Sequence, residues 1–388
     1  MLSLPPLALY VHLPWCVRKC PYCDFNSHEA RGAPPFEGYV DALLADLDFD
    51  LPLVWGRTVH SVFFGGGTPS LFPAAAIDRF LQGASARLRF APGCEITLET
   101  NPGTAEHGRF EDYLKAGVNR ISFGIQSFDD GCLRRLGRIH DSGQADAAVK
   151  LAQDAGFDNL NLDLMYALPE QTSAMAERDL ERAFALAPAH ISHYQLTLEP
   201  NTVFAARPPQ GLPDEDGAWD MQERCQALLA EAGYAQYEIS AYARPGRQCA
   251  HNLNYWRFGD YLGIGAGAHG KITLPEDGGD GRVLRRWKLK HPAAYLAHAG
   301  GAQAIGGDED IALAQRPFEF MLNALRLHEG FARSAFEART GLPFAAIARP
   351  MAQAFDAGWL IAEGERIRPT DAGLRYANDA IALFMDLP

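Results

Sequence analysis

Cys16, Cys20 and Cys23 stand within one short run, Trp15-Cys16-Val17-Arg18-Lys19-Cys20-Pro21-Tyr22-Cys23. That spacing delivers three thiolates to one small volume, and thiolates are ligands for zinc and for iron–sulfur clusters. A four-iron, four-sulfur cluster ordinarily takes four cysteines. Three leave one iron open to a ligand that is not protein, and an open coordination position is where metal chemistry takes place. The same residues also allow a structural zinc site of the Cys3His type, completed by His12 or His28. A disulfide framework does not fit a long chain with an odd count of 7 cysteines. The other four, Cys94, Cys132, Cys225 and Cys249, are scattered.

These thiols need a scaffold that brings other polar groups to them. Between residues 8 and 240, short β-prone runs alternate with amphipathic stretches, the pattern of successive βα units on a parallel sheet. Strands are predicted at Ala8–Leu13, Val59–Phe64, Glu95–Glu99, Arg120–Ile125, Asn159–Met165 and Ile191–Leu198. Helices over Phe36–Asp50, Phe110–Ala116, Gly143–Ala155 and Ala174–Leu186 place apolar residues three and four apart, which buries one stripe against the sheet. Six such units make a partial (β/α)6 barrel, an α/β fold whose working groups belong at the carboxyl ends of the strands. Those ends carry the cysteine loop, Gly65-Gly66-Gly67-Thr68-Pro69, Glu99, Gln126, Asp163, and Gln195 with Thr197. Any one of them could be a plain strand terminator, but their convergence on one rim favours a site.

Beyond the barrel, the proline-rich run 206–213 breaks the pattern. Pro213–Gly233 reads as a helix and Tyr234–Tyr242 as a strand, while Glu276–Gly281 reads as a hairpin tip without the oxygen ligands of an EF-hand. From about Gly330 the order is helix (Ser334–Thr340), helix (Pro343–Ala357), strand (Trp359–Ala362), turn, strand (Ile367–Pro369), as in a winged-helix domain. Residues 334–375 hold Arg339, Arg349, Arg366, Arg368 and Arg375 against Glu337, Asp356, Glu363, Glu365 and Asp371, which leaves no phosphate-binding face. The expected division is 1–240 for the barrel, 241–329 for a connecting region and 330–388 for a winged-helix-like α+β domain.

Composition narrows the class. A chain of 388 residues, 47% hydrophobic, can bury a substantial core. A net charge of -13 argues against nucleic acid as partner. No stretch approaches the roughly 18 apolar residues of a membrane span, and the start lacks a secretory pattern. The expected compartment is the cytoplasm, where thiols stay reduced.

The C-x3-C-x2-C loop with Tyr22 before its last cysteine resembles the radical S-adenosylmethionine superfamily. With the glycine turn and the rim residues, the chain is similar nearly end to end to the oxygen-independent coproporphyrinogen III oxidase family within it. The resemblance implies a [4Fe-4S] cluster on Cys16, Cys20 and Cys23, and S-adenosylmethionine bound at its open iron. Tyr10 and Tyr22 would line the cofactor pocket, and Gly66, Gly67 and Thr68 would face its amino acid portion. Glu99, Gln126, Arg138 and Asp163 would make further contacts, with Thr197 and His269 aligned more loosely. A sulfonium cofactor bearing a carboxylate, an ammonium and a ribose needs carboxylates, an arginine and open backbone together, and each is present. The implied chemistry is one-electron reduction of the sulfonium by the cluster, giving methionine and a 5'-deoxyadenosyl radical.

The sequence departs from the oxidase members at two places. They carry a fourth cysteine two residues after the third, where this chain has Phe25, and a long extension before the first strand, where this chain has nine residues ahead of Tyr10. Both features resemble the branch of the family whose proteins are haem chaperones. So does His251-Asn252-Leu253-Asn254-Tyr255-Trp256, an H-N-x-x-Y-W haem-binding pattern followed by a glycine-rich run to Gly270. His251 could ligate haem iron axially, with Asn252, Tyr255 and Trp256 around the porphyrin and Cys249 as a nearby thiol. Alternatively His251 and Trp256 simply close the open side of the barrel. The first expectation is haem binding and transfer to an acceptor protein, governed by the cluster and S-adenosylmethionine; a homodimer is compatible with it. A coproporphyrinogen dehydrogenase and a zinc-stabilised interaction protein are the competing readings.

Overall fold

The computed structural model describes residues 2–107, 110–276 and 281–385. Six parallel strands follow one another in space as they do in sequence: β1 (Leu7–Leu13), β2 (Thr58–Gly66), β3 (Arg89–Thr100), β4 (Arg120–Gln126), β5 (Leu160–Tyr166) and β6 (His190–Gln195). They are the six strands expected, with β3 starting earlier and β6 stopping at Gln195 instead of Leu198. Val11, Val62, Leu98, Ile121 and Leu162 share one core with the inward faces of the covering helices. These helices are α1 (Phe36–Asp50), α2 (Ala74–Ser85), α3 (Phe110–Lys115), α4 (Ser142–Asp154) and α5 (Ser173–Ala185). Local chemistry fixes where they begin: Asp141 and Gln144 form a reciprocal capping box at α4, and the Thr172 hydroxyl caps α5.

The edges of the sheet differ from expectation. Tyr234–Tyr242 is not one strand but a tight hairpin of β7 (Ala235–Glu238) and β8 (Ala241–Ala243), with β8 antiparallel to β6. The Glu238 carboxylate accepts the Ser240 backbone N–H at 3.0 Å and so turns the chain. Before it, α6 spans Glu215–Glu231, capped by Asp214 and slightly shorter than the Pro213–Gly233 expected. After it comes α7 (Ala250–Trp256). At the opposite edge, β9 (Asp260–Ile264) lies parallel to β1, and β10 (His269–Leu274), β11 (Arg282–Lys288) and β12 (Ile305–Asp310) extend the sheet as antiparallel strands. The glycine-rich run after α7 is therefore a strand and a turn: a Cβ on Gly263 would come within 1.9 Å of the His269 carbonyl oxygen. The result is a single 12-stranded sheet. Residues 277–280 of the acidic run lie outside the described residues; β10 and β11 pair on either side of them.

A second core gathers Phe258, Phe320, Phe336, Met351, Leu360, Ile367 and Phe384. It joins α8 (Arg316–Ala324), β13 (Phe331–Ala332), α9 (Arg333–Thr340), α10 (Ala348–Asp356), β14 (Leu360–Glu363) and β15 (Arg366–Pro369), the strands being ordered β13-β15-β14. The second helix of the winged-helix order is shorter than the Pro343–Ala357 expected, because Phe344–Ile347 forms a 3-10 turn ahead of it. Among the described residues no helix is long and apolar enough to cross a membrane.

β11 is fastened to α1 through charge. Lys288 is 1% exposed and its ammonium meets Asp46 and, at 2.7 Å, Asp50, both equally buried. Asp46 also accepts the Tyr295 hydroxyl at 2.8 Å. Removing one partner of a buried ion pair leaves uncompensated charge, which costs about 3–5 kcal/mol. Lys288→Met is expected to lower unfolding stability by about that amount, read as a lower urea midpoint at unchanged slope.

Candidate cofactor site and interior chamber

The cysteine loop leaves the end of β1 and is anchored at both ends by backbone. Trp15–Cys16 pairs with His28–Glu29, while the Gly67 and Thr68 N–H groups donate to the carbonyls of Leu13 and Trp15, each at 2.8 Å. This approach demands glycine. Gly66 has φ +116°, and a Cβ there would lie 2.6 Å from the His12 ring; a Cβ on Gly67 would lie 2.5 Å from the Trp15 carbonyl oxygen. The loop turns its three sulfurs toward a cavity of about 410 Å3 bounded by the glycine turn and the strand ends. The Arg138 guanidinium reaches the Cys20 sulfur at 3.6 Å, and the Ser27 hydroxyl lies 3.7 Å from the Cys23 sulfur. Burial raises the Cys16 and Cys23 thiols, opposed by the hydroxyls of Thr68 and Ser27.

Most rim residues expected from the sequence meet at this cavity. Tyr22, Gly66, Gly67, Thr68, Glu99, Gln126, Arg138, Asp163 and Gln195 all line it. Glu99 accepts the Gly66 N–H at 3.2 Å, and burial, reinforced by Asp163, pushes its carboxyl up to about 8. Asp163 is likewise raised by burial, although Asn161 donates to it at 2.7 Å. Gln126 adopts a left-handed φ of 72° at a bulge in the β4–β5 ladder and accepts the Tyr194 hydroxyl at 2.8 Å. Such strain in a non-glycine residue persists where the surroundings hold it, often at working sites. Thr197, beyond the end of β6, also lines this cavity, at an exposed position with its hydroxyl on Glu199. Tyr10 and His269 face elsewhere, into a second cavity.

That second cavity, about 890 Å3, is the interior of the barrel. Its floor is α7, laid across the amino ends of the strands: Glu95 of β3 accepts the backbone N–H groups of Ala250 at 3.2 Å and His251 at 3.1 Å. The helical period puts His251 and Tyr255 on one face, and with Asn252 they line the chamber. His251 stacks on Phe63 at 4.8 Å; Nδ1 meets the Ser61 hydroxyl at 3.1 Å and Nε2 the Tyr255 hydroxyl at 3.2 Å. Burial, then the charge of Arg120, lowers its pKa to about 3, so the ring is neutral with a lone pair to offer. Trp256 points away from the chamber, under the Arg326 guanidinium at 4.4 Å. Cys249 is buried at the start of α7, its thiol pushed up to about 12 by burial.

The residues present fit a cluster and a sulfonium cofactor. Three thiols open on one cavity beside a glycine cradle, and the buried Thr100 hydroxyl and Arg138 Nε on its wall have no hydrogen-bond partner. The zinc alternative does not find its ligands: His12 is held between the Tyr10 hydroxyl at 3.0 Å and the Asn26 carbonyl at 2.9 Å, and the His28 Nε2 lies on the Asn26 side-chain oxygen at 3.3 Å. Among the described residues no three His, Cys, Asp or Glu side chains are grouped to hold a single metal ion. Two residues escaped the sequence reading. Asn26 donates from its amide to the Ala266 and Lys290 carbonyls, both at 2.9 Å, tying the cysteine loop to the segments after β9 and β11. Arg120, at the start of β4, faces the chamber; its only signal was a charge opening an apolar strand.

Fold and site together define a radical S-adenosylmethionine protein, of the class that uses a [4Fe-4S] cluster and S-adenosylmethionine. Residues 10–183 match the radical SAM superfamily and residues 311–376 the HemN C-terminal domain. The fold is that of coproporphyrinogen III oxidase (HemN) from Escherichia coli, with a TM-score of 0.81 at 24% identity over 98% of this chain and 90% of that one. In sequence the chain is 50% identical to the haem chaperone HemW of Escherichia coli K12 over 385 residues, 99% of this chain and 100% of that protein. It is 48% identical to HemW of Haemophilus influenzae, covering 99% of each, and 35% identical to HemW of Mycobacterium tuberculosis, covering 97% and 94%. The chain belongs to the HemW family of haem chaperones.

Two outcomes are expected. Gly67→Ala forces the glycine turn off the cysteine loop, so iron and sulfide content after anaerobic reconstitution should fall well below wild type while far-UV circular dichroism is retained. Glu99 keeps its proton to about pH 8 when folded but releases it near its ordinary 4.5 when unfolded. The folded chain therefore binds more protons across that window, and stability falls as pH rises through it. Glu99→Gln should flatten that part of the melting-temperature profile.

Proposed function

We propose that this chain binds haem in the interior chamber and delivers it to an acceptor protein, with a [4Fe-4S] cluster on Cys16, Cys20 and Cys23 and S-adenosylmethionine in the adjoining cavity. The supporting observation is continuity: Cys23, Phe25, Gly66, Glu99 and Asp163 line both cavities, so the cluster loop is also a wall of the chamber that holds His251. The HemW name of relatives aligned over nearly the whole chain points the same way. In this reading residues 1–240 carry the cofactor, 241–329 the haem motif, and 330–388 a winged-helix-like module packed beneath α7. The working compartment is the cytoplasm, where the three thiols stay reduced.

When bound, the cluster and cofactor supply one-electron reduction of a carbon–sulfur bond. The chain's own residues do the positioning. Gly66, Gly67 and Thr68 offer open backbone and a hydroxyl to the amino acid end of the cofactor. Glu99 and Asp163 supply acceptors, while Gln126 and Arg138 supply donors; Tyr22 closes the pocket against Phe204. In the chamber, Ser61 orients the His251 ring through Nδ1, and a turn of the Tyr255 hydroxyl frees Nε2 for iron. Because the cluster loop walls the chamber, the cofactor state governs how firmly haem is held.

Haem titration of anaerobically purified protein tests this. His251→Ala should shift the Soret band and weaken haem binding by about tenfold, roughly 1.4 kcal/mol, with iron and sulfide content intact. An unchanged Soret band removes His251 as ligand. Replacing Cys16, Cys20 and Cys23 together by alanine should alter the haem dissociation rate; an unchanged rate and unchanged oligomeric state would break the coupling to the cluster.

A further inference from the structure

Arg120 is among the largest fully buried side chains of the molecule, 2% exposed. Its guanidinium lines the interior chamber, its Nε is enclosed without a hydrogen-bond partner, and no ion pair or hydrogen bond to the group exists among the described residues. Arginine cannot shed its proton to escape burial. The acids around it are already committed. Glu95 accepts the two N–H groups at the start of α7 and lies 3.6 Å from the Cys249 sulfur. Asp163 accepts from Asn161 at 2.7 Å and Ser122 at 3.4 Å, and Glu99 accepts from Gly66 and stays protonated to about pH 8. Tyr237 donates or accepts toward His190 at 2.8 Å and accepts the Cys249 N–H at 3.3 Å. A forked donor with a fixed charge feels Glu95 and Asp163 through space, yet it has no hydrogen-bond partner among the described residues and faces a roomy cavity.

We infer that Arg120 anchors a carboxylate of the chamber's ligand, namely one propionate of a bound porphyrin. The inference rests on the haem reading above and deepens it. A carboxylate matches the guanidinium in a bidentate fork and carries one negative charge. A phosphate dianion would meet stronger repulsion from Glu95 and Asp163. The chamber volume lies within the roughly 300–1,000 Å3 of pockets that hold ligands of such size. His251 senses the same charge, so iron ligand and carboxylate anchor share one enclosure.

The test compares free acid with ester. Wild-type protein is titrated with haem and haem dimethyl ester by the Soret band, and with metal-free mesoporphyrin and its dimethyl ester by fluorescence, which reads the anchor independently of iron. The free acids should bind about tenfold more tightly than the esters, roughly 1.4 kcal/mol. Arg120→Gln should erase that preference, and Arg120→Lys should keep part of it. Iron and sulfide content and the melting temperature report whether each variant is folded. If Arg120→Gln does not accumulate, the wild-type comparison still decides, since equal binding of acid and ester overturns the inference. Haem uptake with the preference intact in folded Arg120→Gln also overturns it and leaves the haem reading standing. Lys290 also lines the chamber, at an exposed position; loss of the preference in Lys290→Gln alone would put the carboxylate there and likewise overturns the inference. Weaker S-adenosylmethionine binding in Arg120→Gln with porphyrin preference unchanged would assign the carboxylate to the cofactor and overturn it as well. Failure of wild-type protein to take up any porphyrin removes both readings.

Discussion

The contact on which the site depends is backbone against backbone: the glycine turn after β2 lying directly on the start of the cysteine loop after β1. Two N–H to carbonyl bonds, Gly67 to Leu13 and Thr68 to Trp15, join the turns of adjacent parallel strands. No side chain can be placed between them, because a Cβ at Gly66 or Gly67 would overlap His12 or Trp15. The start of the cysteine loop is therefore positioned by main chain, and the same turn presents Gly66 to Glu99. What would otherwise be a loose loop of two prolines and three cysteines becomes one wall of a cavity.

The interior below that wall is unusually polar for a protein core. His190, Asn161, Tyr237 and Asp163 are knit together by short hydrogen bonds, as buried polar groups must be. Such a network is costly to leave half made, and Arg120 is where it remains open. A barrel filled by aliphatic layers would be a packed solid. This one instead keeps room, floors the space with α7, and places a neutral imidazole there. Burial keeps that imidazole uncharged, so its ring retains a lone pair.

The sequence made the barrel legible because each of its units repeats two periodicities, alternation in the strands and a 3.6-residue stripe in the helices. All six strands and the four helices named from the sequence sit close to where that pattern puts them, while α2 (Ala74–Ser85) was not named. The cysteine spacing and the polar residue at each strand end likewise identified the rim, since both are local in sequence. The pattern failed where long-range pairing decided the outcome. β9 read only as part of a glycine-rich run because its partner, β1, is more than two hundred residues away. Tyr234–Tyr242 was apolar enough for one strand, yet Glu238 binding Ser240 turned it into two. Arg120 gave almost no sign, because its significance lies in the partners it lacks, and a missing partner is visible only in three dimensions. Trp256, read with His251 as one motif, turns to the opposite side of α7, as helical geometry requires of neighbours five apart.

One strand of the barrel touches both ends of this arrangement. Glu95 and Glu99 of β3 stand four residues apart on the same side, one binding the amino end of α7, the other the glycine turn. At about 3.3 Å per residue, a stiff spacer of roughly 13 Å sets the depth between the imidazole and the cluster loop.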